Sequence, residues 1–283
     1  MKVIAKGNAN IIIDYDDPLY LYRCLVRDSS LKINNLNTVE NFKFLQKFKA
    51  DEDNRLSYYL CTVELLQLQV NEIRDLLEEY ITKFDTEVVY VFKLENLKPN
   101  YYDSLLWNDH FTRVYFSKEF SNKILIELKP KWIYYQSPYC RNCTHNQLKS
   151  RSNINYCYSH LVNNESYFFT NILGDLKHSL PPEFIISMES YMRGPKNIFK
   201  LLYETQKSLY VPLGTLNHSS EVDYNLLLLM ALRDVTLFIE WDTSKDQHIY
   251  INFIDLDRKP SSKLSYWLKT HEKLEMFPDK VYH

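Results

Sequence analysis

The chain has 283 residues, 45% hydrophobic and 25% charged, with a net charge of −2. This is globular usage, and the length allows one large domain or two modest ones around a sizeable core. A charge so near zero excludes a molecule that attracts polyanions over its whole surface, so any such site has to be local. Glycine is confined to Gly7, Gly174, Gly194 and Gly214, so a glycine-rich phosphate loop has to be a minimal one. The N-terminal MKVIAKGNANIIIDYDD lacks the charged-then-apolar order of a signal peptide. No run reaches the ~18 apolar residues of a membrane span. A soluble, intracellular chain with no membrane partner is therefore expected. Its five cysteines, Cys24, Cys61, Cys140, Cys143 and Cys157, are then thiols or metal ligands rather than disulfides.

In chain order, residues 2–6 and 11–15 are β-rich runs joined by Gly7-Asn8-Ala9-Asn10. Glycine and asparagine tolerate positive φ, which predicts a hairpin. A third strand is expected at 20–26. Residues 57–84 carry Leu65, Leu66, Val70, Ile73, Leu76 and Leu77 at three- and four-residue spacing, which predicts a helix. Strands are expected at 88–94, 112–116 and 124–128. Residues 167–209 are predicted mostly helical, broken at Pro181-Pro182, and 224–232 as a buried helix. Two strands at 235–241 and 248–254, turned by Thr243-Ser244-Lys245-Asp246, close the core. Strands first and helices later predict an α+β protein of two lobes.

The last hairpin gathers acids. Asp234 precedes its first strand, and Asp255 and Asp257 end its second. A turn centred near Ser244-Lys245 puts Asp234 opposite Asp255, on strands only ~4.8 Å apart. Such carboxylates suit Mg²⁺, and one of them can orient an attacking hydroxyl. Acids also flank strands and turns for no chemical reason. Lys129-Pro130-Lys131 ends another strand; residues two apart point the same way, so both lysines are expected to face one site. The same pattern also serves as a solvated edge that blocks aggregation.

Around these lysines, residues 123–151 hold Lys123, Lys129, Lys131, Arg141, Lys149 and Arg151 against Glu127 alone. Residues 258–273 hold Arg258, Lys259, Lys263, Lys269 and Lys273 against Glu272 alone. These are local positive fields suited to a small polyanion or to nucleic acid, or else solvated faces. Arg23, in the third strand among apolar neighbours, reads equally as a phosphate contact or a core-edge arginine. Finally, Cys140-x-x-Cys143 and Cys157-x-x-His160 have ligand spacing for tetrahedral zinc, the alternative being reduced cysteines with a surface histidine.

Taken in order, IELKPKW, CRNCTHNQ, LRDVTLFIEW and IDLDRKP resemble the inositol-pentakisphosphate 2-kinases, over nearly the whole chain and with the short yeast-type members especially. The resemblance implies a two-lobed inositol-polyphosphate-kinase fold, distantly like protein kinases, here a lobe at 1–107 and a lobe at 108–283. It implies transfer of the ATP γ-phosphate to the 2-hydroxyl of inositol 1,3,4,5,6-pentakisphosphate, with ATP and Mg²⁺, in a monomer without nucleic acid, in the nucleus or the cytoplasm. By motif match, Gly7, Asn8, Ala9 and Asn10 fall on the nucleotide loop and Arg23 on an ATP-phosphate contact. Asn108 and His110 match positions near ribose and hinge, and Glu127 an adenine-side position. Lys129 matches the lysine at the transferred phosphate. Lys131, Arg141, Lys149, Asn197, Lys259 and Lys263 match inositide contacts. Asp234 matches the acid beside the 2-hydroxyl and Asp255 the Mg²⁺ ligand, with Asp257 nearby.

Two departures stand out. Lys263 replaces a family arginine and loses bidentate phosphate geometry. Asn197-Ile198 stands where plant members have two asparagines. A rival reading, from another class, is a zinc-containing RNA-binding module using the same basic stretches and the abundant aromatics.

Overall fold

The computed structural model describes residues 1–120, 122–151, 153–245 and 248–283. The chain divides into two compact units, Met1–Asp53 with Leu60–Asn100, and Asn54–Tyr59 with Tyr101–His283. Each unit has its own five-stranded sheet, antiparallel throughout, and the helices make the protein α+β.

In the first unit, β1 (Lys2–Lys6), β2 (Asn10–Asp14) and β3 (Tyr20–Leu25) run in sequence, and β5 (Val88–Glu95) then pairs with both β3 and β4 (Val63–Gln69). Ile11, Ile13, Cys24, Val89 and Val91 pack from this sheet against Leu31, Val70, Ile73, Leu77 and Ile81. Helix α1 (Leu31–Lys49) begins at Ser30, whose hydroxyl accepts the Ile33 N–H. The Asp85 carboxylate accepts from the Ser30 hydroxyl and the Lys32 N–H, placing negative charge at the positive helix end.

Two expectations change in this unit. The predicted helix over 57–84 is helical only at α2 (Val70–Leu77), apart from a 3₁₀ turn at Arg55–Tyr59. Leu65 and Leu66 lie in β4, which pairs with β5 from Val63↔Leu94 to Gln69↔Val88. Leucine and glutamine favour helices by fractions of a kcal/mol, and an unbroken ladder to a valine-rich partner overrides that preference. The turn after β1 is also built differently. Gly7 N–H donates to the Asn10 carbonyl at 2.8 Å, and neither Gly7 nor its asparagines adopt positive φ.

The second unit holds β6 (Ser104–Asn108), β7 (Thr112–Phe116), β8 (Lys123–Leu128), β9 (Thr236–Asp242) and β10 (Ile249–Ile254), in the order β10-β9-β8-β7-β6. Ile124, Leu125, Ile126, Leu128, Leu237 and Ile239 are buried in the central strands. Helices α3 (Arg141–Leu148), α4 (Pro182–Arg193), α5 (Ile198–Ser208), α6 (Tyr224–Leu232) and α7 (Leu264–Glu275) complete the unit. Helix α6 is the expected buried helix: every residue from Leu226 to Leu232 is buried, each leucine contributing about 1.5–3 kcal/mol. The segment 54–59 joins this unit through Arg55, which donates to the Pro195 carbonyl, and Tyr59, which donates to that of Lys196. The β9–β10 hairpin is observed, but its register is one residue away from the expected one: Ile254 faces Thr236 and Ile249 faces Trp241. Asp246, placed in its turn by the sequence, lies outside the described residues.

Candidate active site

Asp234 follows α6 and its cap Arg233, immediately before β9. Its carboxylate meets Lys259 Nζ at 3.1 Å, Lys131 Nζ at 3.3 Å and Arg233 Nε at 3.9 Å. Burial pushes its pKa up, but Arg233, Lys259 and Lys131 outweigh that and hold it at about 2. Asp234 is therefore an anion at any physiological pH. It can accept and orient a hydroxyl hydrogen, surrounded by more positive charge than it can neutralise.

The Lys129-Pro130-Lys131 segment reaches this point by a different route from the one expected. Strand β8 ends at Leu128, and Lys131 has a φ of 61°, so strand alternation does not govern the two lysines. A non-glycine residue in this left-handed region costs roughly 1–2 kcal/mol. Gln206 of α5, fully buried, supports it: its amide donates to the Lys131 carbonyl, and its oxygen accepts the Ile133 and Tyr134 N–H groups. The two lysines still come close. Burial pulls the Lys131 pKa down, Asp234 opposes this, and Lys129 and Arg233 add to the lowering. His110 is likewise lowered by burial, then by Arg151, Lys131 and Lys129.

The other predicted residues fall into three groups. Arg141 and Lys149 belong to the same positive field: His145 is brought down to about 4 by burial, then by Arg151, Arg141, Lys149 and Arg233. Lys149 is exposed. Within the first unit, Ala9 is buried at the β1–β2 turn, and Arg23 is 9% exposed with its guanidinium 5.1 Å from the Phe92 ring. A third group is engaged by neighbouring protein groups. Asn197 is fully buried as the cap of α5, accepting from Phe199 N–H and donating to the Met192 carbonyl. Each end of its amide thereby holds one backbone group of α4 or α5. Glu127 accepts from Arg113 and Tyr115, and Asn108 from Arg113. Lys263 is exposed, lying against the Tyr266 ring.

The three acids lie at the same end of the hairpin, but in a different register from the predicted one. With the register shifted by one, Asp234 and Asp255 are not cross-strand partners. Asp255, at φ 66°, instead accepts from the Thr236 hydroxyl at 2.8 Å. Among the described residues, the donors that converge closely enough for one ion are Cys140, Cys143, Cys157 and His283, all within 4.8 Å of one another. His160 is not the fourth donor; its ring packs against those of His283 and Tyr167. Cys143 Sγ lies 3.2 Å from His283 Nε2, and Cys140 Sγ 3.7 Å from Cys157 Sγ. Backbone bonds fix the C-terminal segment of this group, since Cys140 N–H donates to the Val281 carbonyl and Val281 N–H to the Thr144 hydroxyl. Three thiols and an imidazole this close together could hold one metal ion, and they are donor types that structural zinc sites use.

The sequence profile of the inositol-pentakisphosphate 2-kinase family matches residues 4–208 and 176–273. The chain belongs to that family. It is similar to the protein of that name from Saccharomyces cerevisiae, 39% identical over 100% of this chain and 99% of the relative. The Candida glabrata relative of the same name is 34% identical over 99% of this chain and 100% of its own. The Eremothecium gossypii one is 33% identical over 100% of both. Membership makes the chain an enzyme of the transferase class, and nothing in these matches supports the RNA-binding reading. No helix among the described residues is long and apolar enough to cross a membrane.

For a member of the inositol-pentakisphosphate 2-kinase family, four features escaped the sequence reading. His283 is remote from the cysteines in sequence, with no spacing rule to link it. Gln206 acts through a backbone turn. His145 and Arg233 had a signal, since they lie inside CRNCTHNQ and LRDVTLFIEW, but each looked like an ordinary helix residue.

Proposed function

We propose that the chain is an ATP- and Mg²⁺-dependent kinase that phosphorylates the 2-hydroxyl of inositol 1,3,4,5,6-pentakisphosphate, giving inositol hexakisphosphate. The observation that carries this reading is the Asp234 carboxylate held among Lys131, Lys259 and Arg233. A polyphosphorylated ring supplies the anions that these cations lack, and Asp234 supplies the acceptor that its hydroxyl needs.

In this mechanism Lys131 and Lys259 hold ring phosphates and present the hydroxyl to Asp234. With its pKa at about 2, Asp234 acts by orienting the nucleophile more than by removing its proton early. That suits phosphoryl transfer, whose loose transition state asks for alignment and charge stabilisation. Lys129 neutralises the phosphoryl group in transit, and Arg141 and Lys149 hold further ring phosphates. Lys263, exposed in the structure, is a weaker inositide contact. Gly7, Asn8, Ala9, Asn10 and Arg23 are assigned to the ATP phosphates, with Asn108, His110 and Glu127 on the nucleoside side. Asp255 and Asp257 offer carboxylate oxygens, which fits Mg²⁺, a hard ion that keeps waters and phosphate oxygens as its other ligands. Bound there, it would supply charge neutralisation. The division into a nucleotide lobe and an inositide lobe, in a kinase-like arrangement, belongs to the same proposal, as does a nuclear site of action.

The direct test is a product assay with ATP, Mg²⁺ and inositol 1,3,4,5,6-pentakisphosphate, with Asp255→Ala as control. Hexakisphosphate from the wild type and none from the variant is expected. No product from folded wild-type protein would overturn the assignment. Zinc on Cys140, Cys143, Cys157 and His283 is tested by metal analysis of purified protein. Near-stoichiometric zinc, lost in His283→Ala and retained in His160→Ala, is expected; retention in His283→Ala would refute this ligand set.

A further inference from the structure

In the second unit two arginines approach the ring of Trp132. The Arg141 guanidinium lies 5.6 Å from its centroid and that of Arg233 5.8 Å. Arg141 is 4% exposed and donates to the Tyr135 hydroxyl at 3.2 Å. Among the described residues no carboxylate pairs with it. Arg233 caps the C-terminal end of α6, and its side chain is 16% exposed. A basic residue there ordinarily faces the unpaired carbonyls of the last turn. Arg233 does not: its Nε is buried with no hydrogen-bond partner among the described residues. Its nearest acid is Asp234, 3.9 Å away and already held by Lys131 and Lys259.

A buried charged donor without an acceptor is an unfavourable arrangement unless the acceptor arrives with a ligand. The guanidinium fork matches two oxygens of one phosphate, which an ammonium cannot do. A second guanidinium on the same indole ring points to a ligand with more than one phosphate. The Arg233 pKa is lowered by burial, opposed by Asp234 and lowered further by Arg141.

We propose that Arg233 is a phosphate-binding residue of the inositide site, working beside Arg141 across Trp132 and adjacent to the acid that receives the reacting hydroxyl. The proposal rests on the inositide-kinase reading above. It predicts that recognition of the phosphates flanking that hydroxyl depends on a guanidinium, in addition to the lysines.

Arg233→Met keeps the volume and removes the charge; Arg233→Lys keeps the charge and removes the fork. Both are assayed for the Michaelis constants of inositol 1,3,4,5,6-pentakisphosphate and ATP, and for thermal unfolding with and without the inositide. In Arg233→Met the inositide KM should rise about 10- to 100-fold, the scale of one or two charge-assisted hydrogen bonds. The ATP KM should stay within about twofold. Arg233→Lys should recover only part of the loss. Without ligand, Arg233→Met should melt no lower than wild type, because it removes a buried guanidinium whose Nε has no hydrogen-bond partner and whose nearest acid, Asp234, keeps Lys131 and Lys259, and the inositide should raise its melting temperature less.

An unchanged inositide KM in either folded variant would overturn the proposal. So would a lower ligand-free melting temperature with the inositide-induced rise intact, which marks a structural arginine. If Arg233→Met does not fold, Arg233→Lys decides on the same KM criterion. Wild-type protein that leaves the inositide unphosphorylated would instead sink the kinase reading itself.

Discussion

At the two ends of the β8–β9 ladder, aspartate and lysine meet in opposite circumstances. At one end Lys123 faces Asp242, which is fully buried. The lysine ammonium and the Ser244 hydroxyl and N–H all donate to that carboxylate. One acid answers one cation, and no charge is left over. At the other end Lys131 and Asp234 each lie three residues beyond the last pair, Leu128↔Leu237. There one carboxylate answers Lys131, Lys259 and Arg233. The difference shows that a buried ion pair is not itself a mark of function. What sets the second end apart, among the ion pairs of the described residues, is one acid against three cations.

Breaking the unbalanced end should have the larger effect. Asp234→Ala is expected to lower kcat by at least ~10³-fold, about 4 kcal/mol, while calorimetry still finds inositide binding. Turnover within tenfold of wild type would remove Asp234 from its role. At the balanced end, Asp242→Ala leaves Lys123 without its partner and should cost about 3 kcal/mol of stability, read as a lower urea midpoint. kcat per folded molecule should not move. Lys131→Ala should raise the inositide KM roughly 10-fold and the ATP KM less; the reverse order would move Lys131 to the nucleotide.

The smallest effect is on pH dependence. Asp234, depressed from 3.8 to about 2, contributes stability that is complete above the ordinary carboxylate range and is lost as pH falls through about 2. The difference in urea stability between wild type and Asp234→Asn should therefore shrink between about pH 4 and 2. A constant difference across that window would contradict the depressed value.

Much of the second unit was legible because its signals are local. Residues 226–232 are apolar on all sides and make a buried helix, and the two β runs that follow can only make a hairpin across a short turn. The positive field was legible too, as Lys129 and Lys131 in IELKPKW and Arg258 and Lys259 in IDLDRKP. What could not be read depended on distant contacts. Helix α1 hides its periodicity because its buried face includes Asn34, Asn35 and Thr38. Asn35 is placed there to bond the Val88 carbonyl and the Tyr90 N–H of β5. Strand β4 was lost to the helical preference of its leucines and glutamines. The hairpin register turned on one residue, enough to take Asp234 out of direct opposition to Asp255. The capping role of Asn197 could not be read because a buried helix cap and a phosphate contact use the same side chain.

The short segment 54–59 has a consequence for how the chain is made. Arg55 bonds to Pro195, 140 residues further along, so this segment leaves the ribosome long before its partner exists. At about 5–20 residues per second the wait is roughly 7–30 s. The first unit can assemble its sheet once residue 100 has emerged, but 54–59 must stay uncommitted within it until α5 is synthesised. A nascent chain halted before Pro195 should therefore be open to protease at 54–59 and closed at β3–β5.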